Sequence, residues 1–499
     1  MTGHFGVPTT VVIPTIGRPS LIALLSALQV APGPRPVQLI VVDDSAGGSP
    51  GLEDRLPDGT TLLHSGGRGP AAARNLGWRA ARTPWISFLD DDVLPDPDWW
   101  ARLAEDIAAA AYDVAGIQGR LRVPLPKHRR PTDWERSTAG LATATWITAD
   151  MTYRRAVLSA VGGFDERFPR AYREDSDLAL RIVTAGGQIV SGRRSITHPV
   201  RPSDTWASLR QQAGNSDDVL MRRLHGKRWR DRVSAAPGRI GRHIVITAAG
   251  LGALGSLAIG RRRLATACAL SAGAGVAELA LARISPGPRD TEEIARMFAT
   301  SLMIPPAAVW HRLVGLWRHH NAVPWRGLPD LVLFDRDGTL VHDVPYNGDP
   351  DLAQVVPGAE SALQRLRASG VRVGMVTNQS GVGSGRLTRA QVDAVNDRVS
   401  ELLGPFDVIE TCVHARDAGC DCRKPAPGMI ERACHTLDLA PARCVVIGDI
   451  GSDVAAAHAA GAVGVLVPTA ATRAAEISQA PLIEPNLVSA ADRILAGAW

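Results

Sequence analysis

A chain of 499 residues with 45% hydrophobic content is too long for one ordinary core and apolar enough for two packed domains with connecting matter. Its formal charge of +5 comes from arginines scattered along the chain, with clusters at Arg222-Arg223 and Arg261-Arg262-Arg263. That distribution argues against a nucleic-acid role and for anionic small substrates or a membrane surface. The first residues show no charged segment followed by a long apolar core, so no secretory signal is expected. Six cysteines in so long a chain suit a reducing compartment and a metal site better than a disulfide framework, which makes the cytoplasm the expected location.

In chain order, "TTVVIPT", "VQLIVVDDS" and "TPWISFLDDD" each predict a buried strand that stops at polar or acidic residues. Open α/β sheets hold ligands at the carboxyl ends of their strands, so acids placed there point to a site. Residues 201–328 then form a helical, Arg/Ala-rich connecting region with two weakly apolar runs, Ile244 to Gly260 and Leu264 to Ile284, divided by three arginines. Each run is near the lower length limit for a membrane span. A membrane hairpin would put those arginines outside if both flanking domains are cytoplasmic, against the positive-inside tendency, so a buried or interfacial helical pair stands beside it as an equal alternative. From about Leu328, "LVLFDRDGT", "VRVGMVTNQ" and "RCVVIGDIGSD" return to strands that end in polar clusters. The expected organisation is α/β, with domains at 1–200 and 329–499 joined by 201–328.

The first section carries "VVIPTIGRPSLIALLSAL", "VVDDS", "GPAAARNLGWRAARTPWISFLDDDVLPDPDWW", "GGFDERF" and "REDSDLALRIVTAGG" in that order. Over residues 8 to 199 it resembles the family 2 glycosyltransferases of the GT-A, Rossmann-like fold, which transfer sugar from a nucleotide-diphospho-sugar. The resemblance implies that Asp43 and Asp44 hold the nucleobase and ribose, and that Asp90 and Asp92 bind Mg²⁺ or Mn²⁺. It places Arg74 and Asn75 beside the donor and a base at Glu174-Asp175, with Asp175 the base and Glu174 orienting it. The chemistry agrees, because a departing nucleoside diphosphate develops negative charge that a carboxylate-held divalent cation neutralises. Taken alone, three aspartates are more often a solvated loop, and Asp175 an ordinary helix N-terminal acid. Acids at several predicted strand ends in this order favour the site. Asp150 stands where small or amide residues are expected near the acceptor, which leaves the acceptor open.

In the last section, Asp335 and Asp337 end a hydrophobic strand, followed by Gly338 and Thr339. Residues 329 to 470 resemble the haloacid dehalogenase (HAD) superfamily of phosphohydrolases, with a Rossmannoid fold. The spacing lets Asp335 attack phosphorus while Asp337 serves as general acid and then activates water. The resemblance implies that Thr377 bonds the phosphoryl oxygens with Asn378 beside it, that Lys424 offsets phosphate charge, and that Asp449 completes a Mg²⁺ site with Asp335 and the Asp337 backbone carbonyl. It gives Asp453 a supporting role.

The stretch "TCVHARDAGCDCRKPAPG" gathers Cys412, His414, Cys420 and Cys422 just before Arg423 and Lys424. With "TNQSGVGSG" it resembles the branch of that superfamily containing D-glycero-D-manno-heptose 1,7-bisphosphate phosphatases and histidinol-phosphatase domains, where such a loop binds structural Zn²⁺. Four ligands would close the site to water and position Arg423 and Lys424 toward substrate. The short "ARDAG" spacer and Ile450, where the heptose enzymes commonly carry lysine, depart from that pattern. Cys268, Cys434 and Cys444 read as buried small hydrophobes.

Together these features describe a bifunctional enzyme, a nucleotide-sugar glycosyltransferase fused to a Mg²⁺-dependent, Zn²⁺-stapled sugar-phosphate phosphatase. Its expected partners are sugar phosphates, nucleotide sugars and a glycan or glycolipid acceptor, with no nucleic acid and with association to a membrane surface. The alternatives are a phosphatase for histidinol phosphate or another small phosphomonoester, and an N-terminal half that only binds or docks at a membrane.

Overall fold

Every residue of the strand Val7–Thr15 except Pro8 is buried, the pattern of a strand covered on both faces of a mostly parallel sheet. The computed structural model describes residues 7–499; residues 1–6, part of the segment behind the no-signal expectation, lie outside the described residues. The chain divides into two compact units between Val323 and Pro324. Of the expected connecting region 201–328, residues 201–323 belong by their contacts to the first unit and 324–328 to the second.

In the first unit, β1 (Val7–Thr15), β2 (Pro36–Asp43), β3 (Thr60–His64), β4 (Trp85–Leu89), β5 (Leu94–Pro95), β6 (Val114–Arg122), β7 (Asp150–Arg154) and β8 (Gln188–Thr197) form one sheet of order β3-β2-β1-β4-β7-β6-β8-β5. The first four neighbours are parallel, and β7 runs antiparallel between β4 and β6. Strand order reverses between β1 and β4, which opens a crevice at their carboxyl ends. Leu21, Leu24, Trp99 and Leu103 cover one face of the sheet, and Trp78, Phe164, Leu178 and Ile182 the other. Each such side chain contributes about 1.5–3 kcal/mol by leaving water.

Three long helices follow in this unit, Ile240–Ala258, Arg262–Ile284 and Thr291–Arg318. The first two pack as a hairpin and the third touches both. The third also packs on the helix Gly214–His225, where a Cβ on Gly315 would lie 2.7 Å from the Cα of Ser216. The hairpin is not a core pair. Only His243, Ile246 and Ser256 are buried in its first helix and Ala265, Leu279 and Ala280 in its second, while Leu251, Leu254, Leu257 and Leu270 are all more than 60% exposed. The buried alternative is thereby removed.

In the second unit, β9 (Leu331–Asp335), β10 (Arg372–Asn378), β11 (Val408–Cys412), β12 (Cys444–Gly448) and β13 (Val463–Leu466) make a parallel sheet of order β11-β10-β9-β12-β13. All residues of β9 and β12 are buried, as their unbroken apolar runs require. Order reverses between these two strands. Phe334 pairs with Ile447, so the register brings Asp335 and Asp449 to the same rim.

Candidate active sites

At the rim of the second sheet, ligand oxygens of Asp335, Asp449 and Asp453 lie within 4.8 Å of one another. One cation, Lys424, pairs with two of them. The Lys424 ammonium donates to Asp335 at 2.5 Å and pairs with Asp453 at 2.6 Å, and it also donates to the Val376 carbonyl at 3.2 Å. Burial disfavours the lysine's charge, but the two aspartates hold it well above its usual range. Burial pushes Asp335 upward against the pull of Lys424. Burial and the Asp453 charge raise Asp449 to about 6. Three converging hard oxygens with one counter-charge suit a divalent cation such as Mg²⁺. Gly338 makes the approach possible: its φ is +82°, and a Cβ there would sit 2.4 Å from an Asp449 oxygen.

The Asp337 side chain stays outside that cluster. It accepts two hydrogen bonds from Arg336 at 3.0 Å, a third from Gln379 at 2.7 Å, and a long one from Thr377 at 3.5 Å. Arg336 is fully buried and also donates to Asn396 at 2.9 Å, while Gln379 donates to Thr377 Oγ1 at 2.8 Å. Neither Arg336 nor Gln379 is among the expected site residues, although each sits inside a quoted motif next to one. Asn378, expected to face substrate, instead accepts from the Lys424 backbone N–H at 3.1 Å and donates to the Lys424 carbonyl at 3.3 Å. Those bonds tie β10 to the lysine and occupy both ends of the amide. Arg423 keeps one buried guanidinium nitrogen without a partner, and the Thr339 hydroxyl is likewise buried and unpaired.

Cys412, at the end of β11, lies 3.3 Å from Cys422 Sγ, 3.8 Å from Cys420 Sγ and 3.7 Å from His414 Nδ1, and His414 Nδ1 is 3.1 Å from Cys422 Sγ. All cysteines are free thiols. A tetrahedral Zn²⁺ with Zn–S bonds of about 2.3 Å has S···S edges of about 3.8 Å, so the four atoms fit that ion with small adjustments. Burial pushes the Cys412 thiol up to about 12, the strain a bound cation would relieve. Cys434 and Cys444 are buried, whereas Cys268 is only half-buried, on the hairpin.

In the first unit, a cavity of about 270 Å³ opens at the β1/β4 reversal and is lined by Thr15, Asp44, Arg74 and the run Asp90-Asp91-Asp92. Here each aspartate of the 90–92 run pairs with an arginine. Asp90 accepts from Arg74 at 2.8 Å, Asp91 accepts from Thr15 at 2.7 Å and Arg18 at 2.9 Å, and Asp92 pairs with Arg201 and faces His198 Nε2 at 3.5 Å. Asp92 Oδ1 is buried without a hydrogen bond, so this acid retains capacity for a metal. Arg74 is buried and donates to Glu174 at 2.9 Å as well as to Asp90, so it braces two acids across the crevice and is not free for donor phosphates.

Asp43 departs from its expected place. It is fully buried, with its oxygens accepting from the Ser45 N–H at 3.0 Å, the Ser49 hydroxyl at 3.0 Å and the Ser49 N–H at 2.5 Å. Burial opposes its ionisation, but those bonds hold it below the usual carboxylate range. Asp44 lines the cavity while accepting from Ser65 at 2.6 Å and the Gly69 N–H at 2.9 Å. Glu174 and Asp175 open the helix Glu174–Thr184. Burial and Asp175 push Glu174 up to about 8 against Arg74. Burial also raises Asp175, which accepts from the Ser176 N–H at 2.6 Å. Asp150 bears on no acceptor: it is buried between Trp99 Nε1 at 2.9 Å and Arg194 at 2.7 Å, an ion pair inside the domain.

Residues 10–177 match glycosyl transferase family 2, residues 332–422 match the haloacid dehalogenase-like hydrolases, and residues 421–493 match a HAD-hydrolase-like family. The D-glycero-beta-D-manno-heptose-1,7-bisphosphate 7-phosphatase of Bordetella bronchiseptica is 35% identical over 144 residues, which cover 28% of this chain and 80% of the relative. The enzyme of the same name from Pseudomonas aeruginosa is 32% identical over 173 residues, covering 33% of this chain and 97% of the relative. The crystal structure of D,D-heptose 1,7-bisphosphate phosphatase from B. bronchiseptica with magnesium and phosphate is 30% identical, covering 33% of this chain and 98% of its own, with a TM-score of 0.31. The chain thus joins a glycosyl transferase family 2 domain to a phosphatase domain that belongs to the haloacid dehalogenase-like hydrolases, in the group of the D-glycero-beta-D-manno-heptose-1,7-bisphosphate 7-phosphatases.

Proposed function

We propose that the second unit hydrolyses a sugar phosphomonoester, with D-glycero-D-manno-heptose 1,7-bisphosphate as the favoured substrate and its 7-phosphate as the group removed. The observation that carries this reading is the cluster of Asp335, Asp449 and Asp453 around one lysine at the strand reversal, in a domain whose curated relatives bear that substrate in their names. An Asp335 oxygen attacks phosphorus, and the leaving alkoxide takes its proton from Asp337. Asp337 then removes a proton from the water that hydrolyses the aspartyl-phosphate. Arg336 and Gln379 hold Asp337 in place, Thr377 and Lys424 bind the phosphoryl oxygens, and the unpaired nitrogen of Arg423 meets the substrate. Asp335, Asp449 and the Asp337 carbonyl would hold Mg²⁺, which would supply positive charge beside the phosphoryl group. Zn²⁺ held by Cys412, His414, Cys420 and Cys422 keeps the Arg423-Lys424 loop in register.

The first unit transfers a sugar from a nucleotide-diphospho-sugar to a glycan or glycolipid. Asp44 faces the nucleoside, Asp90 and Asp92 hold Mg²⁺ or Mn²⁺, and Asp175 takes the acceptor proton. Arg74 and Glu174 brace these acids, and Asp43 shapes the 45–49 loop beside them. The enzyme works at the cytoplasmic face of a membrane. The first hairpin helix, 19 residues and about 28 Å long, is close to the ~30 Å hydrocarbon thickness, and its exposed leucines favour cover by lipid.

Phosphate release from heptose 1,7-bisphosphate, histidinol phosphate and a panel of sugar phosphates tests the first part, with Asp335→Asn as control. Preference for the heptose bisphosphate that depends on Asp335 is the expected result, and equal or better turnover of histidinol phosphate would remove the heptose assignment. Metal analysis of the reduced protein should find one zinc per chain, and its absence would sink the clip.

A further inference from the structure

The first unit contains a second, larger cavity that the transfer reaction described above leaves unused. It has a volume of about 620 Å³ and is bounded by Trp134, the segment 170–173, the helix Gly214–His225 and the start of the first hairpin helix. Arg170 and Ala171 line both this cavity and the one at the β1/β4 reversal, so the two meet there.

Five arginines reach the larger cavity: Arg170, Arg173, Arg210, Arg230 and Arg239. Acids do not match them in number. Arg170 pairs with Asp217 at 2.5 Å and Arg210 with Asp204 at 2.8 Å, but Arg173 and Arg230 share the single carboxylate of Asp218, and Arg239 shares Glu278 with Arg242. Positive charge is left over, and forked guanidinium groups converging on one cavity are suited to a phosphate. Ile240 and His243 also line the cavity. From that point the same helix leaves it, carrying Ile244, Val245, Leu251, Leu254 and Leu257 into the open with exposures of 48% to 67%.

A cationic chamber that opens onto an uncovered apolar helix has the two halves of a site for an amphiphile. We propose that this cavity binds the phosphate headgroup of a lipid, with the hydrocarbon chain lying along the hairpin and the head presented to the donor cavity at Arg170-Ala171. The lipid phosphate is then the acceptor, or the part of it that the enzyme grips. This rests on the transferase function proposed above and gives it an acceptor class. A soluble anion would use the arginines but take nothing from the apolar helix that starts at the cavity wall, and a neutral lipid would leave the surplus guanidinium charge unanswered.

The test is co-sedimentation of the full chain with three kinds of vesicle: phosphatidylcholine alone, phosphatidylcholine with hexadecyl phosphate, and phosphatidylcholine with phosphatidylglycerol at matched surface charge. Retention on the alkyl phosphate vesicles should exceed that on the charge-matched vesicles by about tenfold. Arg210→Ala combined with Arg239→Ala, both solvent-facing and so compatible with folding, should bring that ratio close to one, while Leu254→Glu with Leu257→Glu should lower retention on all three. Equal retention of the native chain on the two anionic vesicles, or displacement by inorganic phosphate at equal concentration, overturns the proposal. Binding of a nucleoside diphosphate, followed in parallel, separates this failure from that of the transferase function. Lost lipid preference with nucleotide binding intact removes only the lipid site, and absent nucleotide binding overturns the acceptor role together with the transferase.

Discussion

Both units place acids where the order of a parallel sheet reverses, yet the two sets of acids are balanced in opposite ways. In the first, Arg74, Arg18 and Arg201 each pair with one aspartate of the 90–92 run, Arg74 being shared with Glu174, so most of the acid charge is answered before any ligand enters. In the second, three aspartates converge and only Lys424 pairs with them, at Asp335 and Asp453, and burial lifts Asp335 and Asp449 out of the ordinary carboxylate range. The same topology thus yields one site whose aspartates are mostly answered by internal arginines and one whose aspartates outnumber the cation beside them. Acid count at a strand end says little about metal demand; the number of internal counter-charges decides it.

The comparison is most exposed to loss of the second site's nucleophile. Asp335→Asn should lower phosphate release by about a thousandfold or more and leave nucleotide binding in the first unit untouched. Chelation comes next: it should lower phosphate release about a hundredfold but weaken nucleotide binding far less, and equal losses in the two assays would break the distinction. Gln379→Ala removes one of the donors on Asp337 and should reduce kcat about tenfold with KM little changed; a change confined to KM would deny it the positioning role. Arg201→Ala frees Asp92 from its ion pair and should tighten divalent-cation binding in the first unit severalfold, as read by titration calorimetry.

The smallest effect is in pH. Asp449 keeps its proton up to about 6, so proton and metal compete below that value. Magnesium affinity should therefore be flat above pH 6 and fall by about tenfold per unit below it. An ordinary carboxylate would hold the affinity flat down to about pH 4.

Strand ends were legible because a buried parallel strand must be a continuous apolar run and must stop where polar groups begin. "LVLFD" and "CVVIG" do this at Asp335 and just before Asp449, and the spacing of Cys412, His414, Cys420 and Cys422 announces a clip within a single loop. Those features are local, so amino-acid order alone determined the α/β class, both sheets' acid-bearing rims and the main acids on them. Tertiary structure alone decided which partner each polar side chain would take. Arg74 reaches Glu174 a hundred positions away, Asn378 turns to the Lys424 backbone, Asp43 closes on its own loop, and Asp150 disappears into an ion pair with Arg194. The exposure of the hairpin was equally hidden, because an apolar run of that length has the same composition whether protein, lipid or water covers it. Burial and pairing are set by chain segments far apart in the sequence, and folding brings them together.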